Sequence, residues 1–394
     1  MKINSLRKRR DWRGRIVFLR VDFNVPLING RISEDHKIIA GLETVKFLLA
    51  NQARLIVATH LGEPNGRVVS VYSTRTLARR LQKLLGRPVK FIPETVGVKA
   101  AQAVSRLKNG EVIFLENLRF NQGELDNDPE FAKELADLAD IYINDAFAVS
   151  HREQASVSAI KKFLPAYAGL LLEKELVAMN RIIKPKRPLV VVMGGAKINE
   201  YSKAPLISQL LKPASRILIG GAIANNFFKL QKLQIGRSLN DPDSLKAIKK
   251  FFVGRRVNPK IILPIDVVVK TRRGKARCCP TNQVASSETI LDIGPQTISL
   301  YASYIKKAAT IIWNGPMGKF EEDSFRQGSL SVARLVASRA QGPAYGLVGG
   351  GETIEVLKLT KMAEYVDWIS TAGGAMLTYL GGGAMPGLTK IVSK

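Results

Sequence analysis

Short apolar runs rich in Val and Ile recur along the chain with helix-like segments between them: RIVFLRVDF (15–23), RLIVATH (54–60), EVIFLENL (111–118), IYINDAF (141–147), PLVVVMGG (188–195), RILIGGA (216–222), IILPIDVVV (261–269), TIIWNGP (310–316) and AYGLVGGG (344–351). Runs that are apolar throughout, rather than alternating, are what strands buried on both faces require, so the pattern predicts parallel strands with crossover helices and an α/β fold. Most of the runs end in a polar or glycine-rich cluster. Open parallel sheets bind ligands at the carboxyl ends of their strands, so these clusters are where chemistry is expected. Each cluster taken alone also fits an ordinary strand-to-helix turn.

One segment differs. YAGLLLEKELVAMNRII, Tyr167 to Ile183, has a helical apolar spacing and runs into Lys184-Pro185-Lys186-Arg187-Pro188. Paired prolines stop a helix, which predicts a connecting helix at 167–184 between an N-terminal domain, 1–166, and a C-terminal domain, 185–375. The remaining residues, 376–394, contain the loop signal YLGGGAMPG and then a tail. No internal repeat aligns.

The length of 394 residues and the 46% hydrophobic content allow two sizeable cores. The formal charge of +27 makes polyanions natural partners, nucleic acid among them, yet both halves of the chain share the excess. Two basic runs, Arg7 to Arg10 and TRRGKAR (271–277), lack the aromatic interleaving of a single-strand binder and also read as a terminus and a solvated hairpin. Nucleic acid is therefore not the expected partner. The only cysteines, Cys278 and Cys279, are adjacent, which excludes a disulfide framework and fits a reducing cytoplasm. Neither a signal peptide nor an apolar stretch of about 18 residues is present, so no membrane partner is expected.

The second half gathers glycine turns at strand ends: Gly194-Gly195-Ala196-Lys197, Gly220-Gly221, Asn314-Gly315-Pro316, Gly349-Gly350-Gly351-Glu352-Thr353 and Ser370 to Gly374. Glycine lets backbone N–H groups approach an anion, and a following helix adds a favourable dipole, so nucleotide phosphates are candidate ligands. No P-loop or dinucleotide fingerprint supports that reading. Lys197 and Lys203 suit phosphate oxygens or plain solvent; Glu352 suits a magnesium ion or a helix cap. The first half instead places Arg20, Asp22, Asn24, His60, Arg119 and Arg152 at strand ends, a set suited to a small, doubly anionic substrate.

Across essentially its whole length the chain resembles the phosphoglycerate kinase family. RVDFNVP (20–26), HLG with PNG (60–66), LENLRF (115–120), INDAF (143–147), HR (151–152), LLLEKEL (170–176), GGAK (194–197), LPID (263–266), DIGP (292–295), WNGPMG with FE (313–321) and GGGET (349–353) follow in family order. The resemblance implies a monomer of two Rossmann-like domains with parallel sheets joined by a connecting helix, with the tail packed back on the first domain. It implies reversible phosphoryl transfer between 1,3-bisphosphoglycerate and ADP, with Mg2+ and hinge closure. Arg20, Asp22, Phe23, Asn24, Lys37, His60, Leu61, Gly62, Glu63, Arg119 and Arg152 take substrate positions. Gly195, Ala196, Lys197, Lys203, Gly221, Asn314, Pro316, Glu321, Gly350, Gly351, Glu352 and Thr353 take nucleotide positions, with Glu321 on the ribose and Glu352 on the metal. The catalytic positions fall on Arg20, Lys37, Lys197, Lys203, Gly351 and Gly374.

Several of these positions depart from the family pattern. Lys37 stands for an arginine, which keeps the charge but not the planar fork. Glu63 stands for a substrate-binding arginine: at about 4 Å and an effective dielectric of about 20, each unit-charge interaction is worth about 4 kcal/mol, so the swap weakens anion binding unless the side chain turns away. Gln154 replaces histidine, Ala148, Ala222 and Ala372 replace glycines, Glu352 an aspartate and Lys319 an apolar residue; the segment from Lys197 to Lys203 is two residues longer. Two alternatives follow: a diverged homologue that keeps nucleotide binding with weak or altered activity, and a basic nucleic-acid-binding protein.

Overall fold

The computed structural model describes residues 2–196, 203–242, 244–254 and 256–393. The chain divides into two compact units, Met1–Val177 with Ala384–Lys394, and Ala178–Gly383.

The first unit is built on six parallel strands: β1 (Ile16–Val21), β2 (Arg54–Ala58), β3 (Lys90–Ile92), β4 (Val112–Leu115), β5 (Ile141–Asp145) and β6 (Ala166–Ala168), in the order β3-β4-β2-β1-β5-β6. Its central strands are buried on both faces. Val17, Leu19, Leu55, Val57 and Phe114 enter one core with Leu48 of helix α1 (His36–Ala50), while Phe18, Ile56, Ile113 and Tyr142 occupy the opposite face. A period of two with both faces covered explains why these runs are continuously apolar. In this register Arg20 lies beside Ala58 and Asn144, which brings three strand ends to one place.

The helix expected from Tyr167 begins later, as α2 (Leu170–Ile183). Ala166–Ala168 pairs with Tyr142–Asn144 as an edge strand, and Gly169 makes the turn because its missing Cβ would lie 2.2 Å from the Asp145 carboxylate. Asp145 in turn accepts the Leu172 N–H at 3.0 Å. The residues after Gly383 return to the first unit. Lys2–Ile3 pairs antiparallel with Val392–Ser393, the Asn144 side chain donates to the Gly387 carbonyl at 3.0 Å, and the Lys161 ammonium donates to the Pro386 carbonyl and to Thr389.

The second unit carries β7 (Leu189–Met193), β8 (Arg216–Ile219), β9 (Ile261–Ile262), β10 (Asp266–Lys270), β11 (Ala276–Pro280), β12 (Thr289–Ile293), β13 (Thr310–Asn314), β14 (Tyr345–Gly349) and β15 (Trp368–Ser370). Six of them form a parallel sheet in the order β9-β8-β7-β13-β14-β15, and β11-β10-β12 form an antiparallel one. The single run IILPIDVVV thus serves two sheets. Pro264 has no N–H to continue a ladder and separates them. TRRGKAR is the tip of the β10–β11 hairpin, closed by the Thr271 N–H to the Lys275 carbonyl at 2.9 Å, with Arg272 and Arg273 exposed. Four helices of this unit bear on the site: α3 (Lys203–Leu211), α4 (Gly221–Leu230), α5 (Gly351–Thr360) and α6 (Gly374–Leu380). No described helix is long and apolar enough to cross a membrane.

Candidate active site

In the first unit, Arg20 projects from the end of β1 and is fully buried. Its Nε donates to the Ser156 hydroxyl at 2.9 Å, and Ser156 donates onward to the buried Glu124 carboxylate at 2.6 Å. A terminal nitrogen of Arg20 lies 3.3 Å from His60 Nδ1. Burial, then Arg20, Arg119, Lys37 and Arg152, hold His60 well below the usual imidazole range, so it is neutral. With Nδ1 accepting from Arg20, Nε2 carries the hydrogen and can donate to an anion.

Asp22 lies nearby and accepts from the Lys37 ammonium at 2.8 Å. Lys37 comes from the first turn of α1. Phe23 is buried, its N–H held by Thr59 Oγ1 at 3.0 Å, and its ring occupies the space above Gly41, where a Cβ would lie 2.8 Å away. The Asn24 side chain accepts the Gly62 N–H at 3.0 Å, and Asn117 grips Leu61 through both its N–H and its carbonyl. Gly62 has φ +63°, and a Cβ there would strike the Tyr72 ring at 2.4 Å. The loop carrying His60 to Glu63 is therefore held through the backbone of Leu61 and Gly62.

Glu63 does not turn away. Its carboxylate lies 2.6 Å from an Nη of Arg119 and 3.6 Å from an Nη of Arg152. Arg119 is fully buried, yet its Nε and second Nη have no partner. Buried guanidinium N–H groups without acceptors are costly unless a ligand supplies them, so Arg119 points to an anion site. Burial draws Arg119 down in pKa and Glu63 counters it.

In the second unit the strand ends interlock through their backbone. The Gly194 and Gly195 N–H groups donate to the Asn314 and Pro316 carbonyls at 3.0 and 2.8 Å, and the Gly221 N–H to the Met317 carbonyl at 2.8 Å. A Cβ at Gly194 would lie 2.0 Å from the Pro316 carbonyl oxygen, and one at Gly221 2.6 Å from the Gly195 nitrogen. These glycines let three strand ends interlock. Gly351, Gly373 and Gly374 are different: a Cβ at each would meet nothing within 4 Å. They face open space at the starts of α5 and α6.

Asn314 ties β13 to β14 through the Gly349 carbonyl at 2.8 Å, and Thr353 Oγ1 accepts the Gly315 N–H at 2.7 Å beside Gly350. A cavity of about 280 Å³ lies here, lined by Gly195, Ala196, Gly221, Pro316, Glu321 and Glu352 together with Phe228, Leu239, Val267 and Ile290. Its apolar side chains suit a flat ring and its glycine turns a phosphate chain. The Lys203 ammonium, at the start of α3, donates to the Gly194 carbonyl. Burial lowers it to about 8 while Glu352 opposes the shift. Glu352 sits exposed in the first turn of α5. Lys197 lies outside the described residues.

Partners such as Ser156, Glu124 and Thr59 carry no sequence signal of their own, because each acts through a contact between residues far apart in the chain. The exceptions are Asn117, in the LENLRF motif, and Asp292, which lies in the DIGP motif, lines the cavity and accepts the Gly328 and Ile293 N–H groups at 2.7 and 2.9 Å.

A buried arginine cluster thus lies at the strand ends of one parallel α/β unit, and a glycine-lined cavity with a lysine and a carboxylate at those of another. The sequence profile of phosphoglycerate kinases matches residues 7–383. A phosphoglycerate kinase of Pelotomaculum thermopropionicum is 41% identical over 389 residues, 98% of each chain. Solved structures of the Coxiella burnetii and Pyrococcus horikoshii phosphoglycerate kinases superpose with TM-scores of 0.85 and 0.83 at 35% and 31% identity, covering 99% and 98% of each chain. The chain belongs to the phosphoglycerate kinase family. Its reaction is a glycolytic phosphoryl transfer between an acyl phosphate, 1,3-bisphosphoglycerate, and ADP, in which the reverse direction has a carboxyl group as acceptor.

Proposed function

We propose that the first unit holds 3-phosphoglycerate or 1,3-bisphosphoglycerate and the second holds ADP or ATP. The buried Arg119 with two unpartnered nitrogens, beside Arg20 and the neutral His60, supports the substrate assignment. In this reading Arg20, His60, Arg119 and Arg152 contact the glycerate anions. Asp22, Phe23, Asn24, Leu61 and Gly62 hold those groups in place, and Lys37 balances Asp22 while adding positive charge. On the nucleotide side, Gly195, Ala196, Gly221, Asn314, Pro316 and Thr353 shape the cavity, Glu321 takes the ribose, and Lys197 with Lys203 contacts phosphate.

Phosphoryl transfer spreads negative charge over the equatorial oxygens of the moving group, so catalysis consists of positioning and charge stabilisation. The Lys203 ammonium and the backbone N–H groups of Gly350, Gly351 and Gly374 supply that charge complement without a covalent intermediate. No cluster of three or more His, Cys, Asp or Glu able to hold a metal occurs among the described residues. A lone carboxylate at Glu352 beside an open glycine turn nevertheless fits Mg2+, which keeps several waters and shares phosphate oxygens. When bound, the ion neutralises phosphate charge. Bringing substrates held by separate units together, and excluding water from an acyl phosphate, calls for hinge bending. The protein acts as a cytoplasmic monomer on small molecules.

The test is a coupled assay with 3-phosphoglycerate and MgATP, run beside Arg119→Ala. Turnover that collapses in the variant is the expected result. MgADP binding without turnover would instead identify a diverged homologue.

A further inference from the structure

Glu63 is an acidic side chain set among the cations of the first unit's site. The backbone beneath it is held: Asn117 grips Leu61, and the Gly62 carbonyl accepts from Arg119 at 2.9 Å. The Glu63 side chain is 59% exposed and can leave the arginines without moving that backbone. While it stays, its carboxylate satisfies one nitrogen of Arg119 and approaches Arg152, and the Nε and other Nη of Arg119 still lack acceptors. Four cations, Arg20, Lys37, Arg119 and Arg152, thus face three carboxylates, Asp22, Glu63 and, through Ser156, the buried Glu124, around a neutral His60.

We propose that Glu63 is an internal anion that competes with substrate for Arg119 and Arg152 and thereby sets the affinity of the first unit's site. The proposal rests on the substrate reading given above. Binding exchanges one carboxylate for another anion: a multidentate phosphate or carboxylate reaches the free nitrogens of Arg119 that Glu63 leaves unfilled, and the displaced Glu63 moves into solvent. Because an exposed carboxylate loses little on hydration, the exchange is reversible.

The experiment titrates wild type, Glu63→Gln and Glu63→Ala with 3-phosphoglycerate and, separately, with inorganic phosphate, by calorimetry without nucleotide, and measures KM and kcat. Both variants should bind 3-phosphoglycerate about tenfold more tightly, equivalent to about 1.4 kcal/mol, with the larger share of the kinetic change in KM. Their affinity should also fall more steeply with added salt, since the wild-type carboxylate offsets part of the field. Unchanged or weaker binding in both variants, at wild-type melting temperature, overturns the proposal. If 3-phosphoglycerate binds to none of the proteins while inorganic phosphate still binds the variants more tightly, the competition stands and the substrate assignment fails.

Discussion

At the end of β1 the groups open to an anion are side chains, whereas the ends of β7, β13 and β14 interlock through their backbone. Arg20, His60 and Arg119 are buried and held by partners from loops and turns, so the arginine charges are aimed but adjustable: one nearby carboxylate, Glu63, changes the field they present. The second unit has less freedom. Its turns pack so closely that a single added Cβ meets backbone below 3 Å at Gly194, Gly221 and Gly315. Side-chain recognition is therefore open to change by single substitutions, whereas a side chain at Gly194, Gly221 or Gly315 would meet backbone.

That contrast can be broken most forcefully at Arg119. Arg119→Ala removes the buried guanidinium and should lower kcat/KM by about 100-fold, the scale of losing a preorganised charge donor; a loss below about threefold would move the anion site elsewhere. Next, Gly221→Ala places a Cβ at φ +61° and within 2.6–2.9 Å of backbone at Gly195 and Pro316. A destabilisation of about 2–4 kcal/mol by denaturant titration is expected, with nucleotide affinity falling alongside it.

A smaller effect concerns pH. Burial raises the Asp292 carboxyl from its ordinary 3.8 to about 7 despite two backbone N–H donors. The folded chain then keeps a proton between those values that the unfolded chain has released, so this group makes stability fall as pH rises through the window. Asp292→Asn should remove that slope, and melting temperatures from pH 4 to pH 7 should show the variant gaining on wild type. Smallest of all, Arg272→Ser with Arg273→Ser alters only the exposed hairpin tip; turnover should change by less than about twofold, in line with a surface substitution, and a large loss of affinity for nucleic acid would revive a role for that tip.

Much of the fold was legible because its signals are local. All nine apolar runs are strands, since a strand buried on both faces must be apolar at nearly every position. The edge strands Lys90–Ile92, Ala166–Ala168 and Trp368–Ser370 escaped notice because each has three residues and one exposed or half-covered face. Arg20, His60, Arg119 and the glycine turns were recognisable for the same local reason: each directly follows or ends an apolar run. The partnership of Glu63 with Arg119 and Arg152 was not.

The sequence by itself determined the α/β class, the family, the positions of the strand ends and the residue types waiting there, because periodicity and turn chemistry act over a few neighbours. Only the tertiary structure decided that IILPIDVVV serves two sheets, that Lys161 fastens the returning tail and that Glu63 pairs with the arginines. Those outcomes depend on strand order and register, which bring together residues far apart in the chain, and on the burial of Lys161 and Arg119, whose charges need partners.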